Sequence, residues 1–128
     1  MAAKALIVDD DPVLREIALE MLAGAGYDCR TAADGEEGLA AMASEPADLL
    51  LLDMLMPNKD GIETLMEVQR RWPATRTIVI TGGAAVMDQA SLLRMAHNLG
   101  ADGVLGKPLR AATLLPMAAR LLGETSTT

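Results

Sequence analysis

At 128 residues and 51% hydrophobic content, the chain suits one compact domain with a single core and is not comfortably long enough for two. A formal charge of −7 argues against a nucleic-acid or anionic-lipid surface, and 2% aromatics, with no Phe, leave little to stack on bases or sugars. One cysteine, Cys29, excludes an internal disulfide, and no apolar run approaches the ~18 residues of a membrane span.

Met1-Ala2-Ala3-Lys4 leads straight into an apolar run at 5–8, so no secretory leader is expected, and the cytoplasm is the expected location. Three aspartates follow, Asp9, Asp10 and Asp11, in "LIVDDDP". Asp11 followed by Pro12 reads as a helix N-cap with proline at the first helical position. That first helix carries Leu14, Ile17, Ala18, Met21 and Leu22 on one stripe and ends at Gly24-Ala25-Gly26. A weaker strand follows at 27–31, then a helix over about 35–44, stopped by Pro46. The run at 48–52 ends at Asp53 in "DLLLLDM", and a helix over about 62–72 is stopped by Pro73, with Ile62, Leu65, Met66 and Gln69 on one face.

The fourth strand, 77–80, ends at Thr81-Gly82 in "TIVITGG", and a helix over about 88–99 ends at Gly100. The fifth strand, 103–105, precedes Lys107 in "VLGKPL". A last helix lies within 111–122 and should start late, near Thr113, or bend, because Pro116 cannot donate a helix hydrogen bond. Four of the five strand runs are apolar at successive positions, the pattern of strands buried on both faces. The alternation predicts a doubly wound α/β fold, flavodoxin-like, with a five-stranded parallel sheet in the order 2-1-3-4-5 and five helices. Residues 4–122 form its core and 123–128 a polar tail, giving one domain over 1–128.

In such sheets ligands bind beyond the carboxyl ends of the strands. Asp9, Asp10, Asp53, Thr81 and Lys107 all fall there. Each alone has a bland reading: a turn aspartate, a solvated lysine before proline, a structural threonine. Together they make a chemistry. Carboxylates in one cleft repel unless a cation offsets them, and a hard divalent ion such as Mg2+ suits them. Lys107 supplies a positive charge, Thr81 a hydroxyl, and Gly82 a backbone N–H that an oxyanion can approach. That set suits formation of an acyl phosphate on Asp53, at the central strand.

The sequence resembles a response-regulator receiver domain of two-component signalling, over about residues 4–122. The resemblance rests on "LIVDDDP", "DLLLLDMLMPNKDGIE", Thr81, "GAD" at 100–102 and "KPL" at 107–109. It implies that Asp53 takes a phosphoryl group from a histidine kinase or histidine phosphotransfer protein. It implies that Asp10 and Asp53 ligate Mg2+, Asp9 holds it through water, and the Leu55 backbone carbonyl completes the set. Lys107 and Thr81 would contact the phosphoryl oxygens, and Lys107–Pro108 would be cis. No separate enzymatic activity is implied beyond this transfer and slow autodephosphorylation. A downstream protein or a second copy would dock on the fourth helix, fifth strand and fifth helix, about 92–117.

The sequence departs from the family at four places. The switch aromatic is Val104, and Leu109 replaces a Phe. The stretch from Thr81 to Lys107 is a few residues longer than usual and opens with Gly82-Gly83-Ala84-Ala85. Leu55 and Gly83 are apolar where relatives steer a hydrolytic water. Slow dephosphorylation and signalling through reordering of residues 82–90 are the expectations. A stand-alone regulator is expected, with a domain cut from a larger regulator or hybrid kinase as the alternative. A remote rival is a haloacid-dehalogenase-type phosphohydrolase, with Asp9 as nucleophile and Asp11 as acid/base. A calcium-loop pattern over 56–67 breaks at its first position, Met56, and carries no weight. His97, Cys29, Tyr27 and Trp72 carry no functional expectation.

Overall fold

The computed structural model describes residues 2–54, 60–82 and 88–123. In chain order the elements are β1 (Lys4–Val8), α1 (Pro12–Gly24), β2 (Asp28–Ala32), α2 (Gly35–Ser44), β3 (Leu49–Asp53), α3 (Asp60–Arg71), β4 (Arg76–Thr81), α4 (Gln89–Leu99), β5 (Gly103–Gly106) and α5 (Ala111–Leu121). All strand pairs are parallel and the order is β2-β1-β3-β4-β5, as the alternation of elements predicted. No helix among the described residues is long and apolar enough to cross a membrane.

Successive strand residues face opposite sides of a sheet. Ala5, Ile7, Leu49, Leu51, Ile78 and Ile80 pack with Ala18 and Leu22 of α1 and Leu114 and Ala118 of α5. Leu6, Val8, Leu50, Leu52 and Val79 pack with Met42 of α2, Leu65 and Val68 of α3 and Ala96 of α4. Both faces are covered, which is why the strands are apolar at every position. Full burial of a Leu such as Leu6, Leu50 or Leu52 stabilises by about 1.5–3 kcal/mol.

Local chemistry sets most boundaries. Asp11 caps α1, its carboxylate accepting the Val13 N–H at 2.9 Å. Asp34 and Asp88 do the same for α2 and α4 through the Glu37 and Ser91 N–H groups. Gly100, at φ 73°, ends α4 in the left-handed conformation that favours glycine. Asp102 then accepts the Thr77 N–H at 2.8 Å, which accounts for the aspartate of "GAD" at the end of the sheet remote from the strands' carboxyl ends.

Two expectations about helix faces need correction. On α3, Leu65 and Val68 are buried, whereas Ile62 and Met66 are 49% and 62% exposed. Gly61 lies on the inward face of α3, so close to the end of β3 that an added Cβ would meet the Met54 Cα at 3.0 Å. The row 61-65-68 therefore points inward and the row 62-66 outward. On α1, Ala18 and Leu22 are buried, but Ile17 is 38% exposed.

The last helix is the third correction. Of the two alternatives, a late start or a bend, the late start fails: the helix begins at Ala111, with Pro116 inside it. The Leu114 N–H and the Thr113 hydroxyl both bond the Arg110 carbonyl, securing the first turn. Pro116 forfeits a bond to the carbonyl of Ala112, a residue exposed to solvent, so the carbonyl is not left in the apolar core.

Candidate functional site

Four strand ends meet here. Asp9 follows β1, Asp53 closes β3, Thr81 closes β4 and Lys107 follows β5. The sheet ladder holds them in place beyond the strands proper. The Asp9 N–H bonds the Ala32 carbonyl, the Met54 N–H that of Ile80, and the Lys107 N–H that of Thr81. The Lys107–Pro108 peptide is cis, and Leu109 beyond it is buried.

Lys107 Nζ lies 3.2 Å from Asp53 Oδ2, a charge-assisted hydrogen bond to a carboxylate that is only 2% exposed. Carboxylate oxygens of Asp9, Asp10 and Asp53 lie within 4.8 Å of one another. Among the described residues, three carboxylates therefore face one ammonium, an excess of negative charge.

The three consecutive aspartates have three different environments. Asp11 is exposed and caps α1. Asp10 is exposed beside the cleft. Asp9 is 1% exposed; its Oδ1 accepts the Asp11 N–H at 2.8 Å, while Oδ2 is buried with no hydrogen-bond partner among the described residues. Burial raises its pKa to about 6, assisted by the Asp53 charge and opposed by the Asp11 N–H and by Lys107. A buried acceptor with no donor, inside a cluster of like charges, fits a cation. The oxygen-only donor set suits Mg2+ rather than a softer metal.

Two contacts at the site were not anticipated. The Arg15 guanidinium, from the second turn of α1, donates to the Asp9 carbonyl at 2.7 Å. Gly61 brings α3 against the Asp53 backbone, where a Cβ would meet the Asp53 carbonyl oxygen at 3.2 Å. "DGIE" carried the second signal in its glycine; nothing local marks Arg15 as more than a helix residue.

Thr81 is buried and Gly82 exposed at the cleft. Leu55 and Gly83 lie outside the described residues, as does most of the 82–90 segment. Val104 is buried on the α4 side of the sheet, among Ala96, Met95 and Leu99. On the 92–117 surface, Arg94 and His97 are exposed. The hydrolase alternative fits poorly: the Asp11 carboxylate, its acid/base, is occupied as a helix cap. The calcium-loop pattern is also excluded, because residues 60–67 are helical.

Comparisons with known proteins agree with this geometry. The sequence matches the response regulator receiver domain family over residues 5–119. It is 38% identical over 112 residues to the transcriptional regulatory protein CpxR of Klebsiella pneumoniae, covering 88% of this chain and 46% of that one. It is 34% identical over 125 residues to the response regulator MprA of Mycobacterium bovis, covering 98% of this chain and 53% of that one. The chain thus spans about half the length of these relatives. Among solved structures, the chemotaxis response regulator CheY4 of Vibrio cholerae superposes with a TM-score of 0.82 at 31% identity, covering 94% of this chain and 99% of that one.

Proposed function

Because the chain belongs to the response regulator receiver domain family, a signalling family of two-component systems, we propose that Asp53 is its phosphoacceptor. The observation that carries this reading is the Lys107 ammonium 3.2 Å from an Asp53 carboxylate that shares a cleft with Asp9 and Asp10. The donor is a histidine kinase or histidine phosphotransfer protein. An Asp53 oxygen forms the new P–O bond as the donor's P–N bond breaks, and the electron pair of that bond stays on the imidazole nitrogen. The Lys107 ammonium and the Thr81 hydroxyl take the phosphoryl oxygens, with the Gly82 N–H beside them.

Asp10 and Asp53 would hold Mg2+ directly, Asp9 through water, and the Leu55 carbonyl would complete the set. When bound, the ion supplies the positive charge that lets an anionic phosphoryl group approach anionic carboxylates. Asp53 sits on a rigid central strand, so the chain's own contribution is placement rather than motion.

The output is a conformational change or a phosphorelay step, passed to a protein partner or a second copy on the α4-β5-α5 surface. A charge of −7 supports a protein partner over nucleic acid, and a cytoplasmic location suits a kinase-coupled receiver. One receiver domain over residues 1–128 can act alone. That CpxR and MprA are about twice as long favours the second reading, a receiver portion of a larger regulator.

Labelling with acetyl phosphate in Mg2+ tests the assignment. Wild type should take up about one phosphoryl group, and Asp53→Asn and EDTA should abolish uptake. Stable label on Asp53→Asn at wild-type level would overturn it.

A further inference from the structure

The β1–α1 turn is held by a chain of hydrogen bonds with two members from outside the turn, Ala32 of β2 and Arg15 of α1. The Asp9 N–H bonds the Ala32 carbonyl, and Asp9 Oδ1 takes the Asp11 N–H. The Asp11 carbonyl takes the Arg15 N–H at 3.0 Å, as the first helical bond. The Arg15 side chain then folds back, and its Nη1 donates to the Asp9 carbonyl at 2.7 Å. Exposed Asp10 has no side-chain hydrogen bond among the described residues, so its neighbours set its direction.

A peptide unit is planar, so the Asp9 carbonyl and the Asp10 N–H turn together. Fixing the carbonyl fixes ψ of Asp9 and φ of Asp10, and with them the direction of the Asp10 Cα–Cβ bond. We propose that Arg15 is a positioning residue for the cation site: its guanidinium locks the Asp9–Asp10 peptide so that Asp10 presents its carboxylate towards Asp9 and Asp53. This rests on the reading of the cleft as a Mg2+-dependent phosphoacceptor site.

The sign of one measurement separates this role from the obvious alternative. A cationic side chain beside a cation site repels the metal, so an Arg15 acting only as a charge would weaken Mg2+ binding, and its removal would tighten it. A positioning Arg15 does the reverse. Outer groups that orient metal ligands typically change affinity by about 10–100-fold. A purely structural Arg15 would change the unfolding temperature and leave the affinity of the folded protein alone.

The experiment is calorimetric titration of the EDTA-stripped, exchanged full chain with Mg2+. Wild type, Arg15→Ala, Arg15→Gln, Arg15→Lys and Asp10→Asn are compared, each with its thermal unfolding curve recorded in EDTA. Arg15→Ala and Arg15→Gln should bind Mg2+ about tenfold more weakly. Arg15→Lys, which keeps one donor at the end of a flexible stem, should recover part of the loss. Unchanged or tighter binding by the Ala and Gln variants overturns the proposal, as does a Lys variant no better than Ala. If Arg15→Ala fails to fold, the Gln and Lys variants decide. Wild type without Mg2+ binding, or Asp10→Asn binding as wild type does, overturns the site reading and this proposal with it. Failure of Arg15 alone shows as wild-type binding lost in Asp10→Asn but kept in Arg15→Gln.

Discussion

Lys107 Nζ and Asp53 Oδ2 lie 3.2 Å apart although 54 residues separate them in the chain. Parallel registers bring them together: Asp53 pairs with Ile80 on β4, and Thr81 with Gly106 on β5, one residue before the lysine. The pair balances one of the carboxylates clustered in the cleft and leaves the lysine a share of solvent. Lys107→Ala should therefore slow acetyl phosphate labelling of Asp53 by about 10²-fold, the usual cost of losing one group that meets developing anionic charge. Timed labelling in Mg2+ checks this; a rate within a factor of about two of wild type would remove Lys107 from the chemistry.

Asp9 predicts a pH dependence. Its folded pKa of about 6 lies above its ordinary 3.8, so the folded protein holds this proton more tightly. Its contribution to stability is therefore full below about pH 4 and is lost as pH rises through about 6. Without Mg2+, Asp9→Asn should be more stable than wild type at pH 7, on the order of 1–3 kcal/mol, with little difference at pH 4. Exposed Glu45 and half-buried Glu67, held low by Lys4 and Arg70, slope the other way in both proteins and cancel in the comparison. Denaturant melts at both pH values in EDTA decide; a gap that does not grow with pH would refute it.

Gly61→Ala tests the α3 contact. The new Cβ would press on the Met54 Cα at 3.0 Å and the Asp53 carbonyl oxygen at 3.2 Å, both backbone atoms that cannot turn aside. Overpacking of this kind costs about 1–3 kcal/mol. The displaced Asp53 should also label more slowly, and a variant with wild-type stability and rate would show that α3 shifts freely.

Leu55 and Gly83 carry no polar side chain to orient a water for hydrolysis of the acyl phosphate. The phosphorylated protein should decay slowly, and Leu55→Asn, whose amide can hold the attacking water by hydrogen bonding, should shorten its lifetime by up to about 10²-fold, the range for positioning a reactant. Decay of the labelled protein after donor removal measures this. A wild type already faster than Leu55→Asn would refute it.

Much of the architecture was legible locally. Strands buried on both faces are apolar at every position, so β3 reads as "LLLLD" without knowledge of its neighbours. Asp11 as a cap and Gly100 as a stop act on atoms within a few residues, so local sequence suffices for them. The phase of α3 was misread because Ile62 and Met66 are as apolar as Leu65 and Val68. Packing of Leu65 and Val68 into the core, with Gly61 against the end of β3, decides which row turns inward. The late start considered for α5 fails because a proline five residues into a helix is tolerable when the orphaned carbonyl belongs to a residue exposed to solvent.

The order of elements, the sheet and its polar edge were determined by the sequence alone, because periodicity, capping and strand hydrophobicity are properties of short segments. Only the tertiary structure decided which aspartate is buried, which of its oxygens lacks a partner among the described residues, and that Arg15 reaches back to the Asp9 carbonyl. Desolvation depends on what packs overhead, and a hydrogen bond depends on where two backbones come to rest. Three adjacent aspartates, identical in sequence, became an outer carboxylate, a buried one and a helix cap by that route.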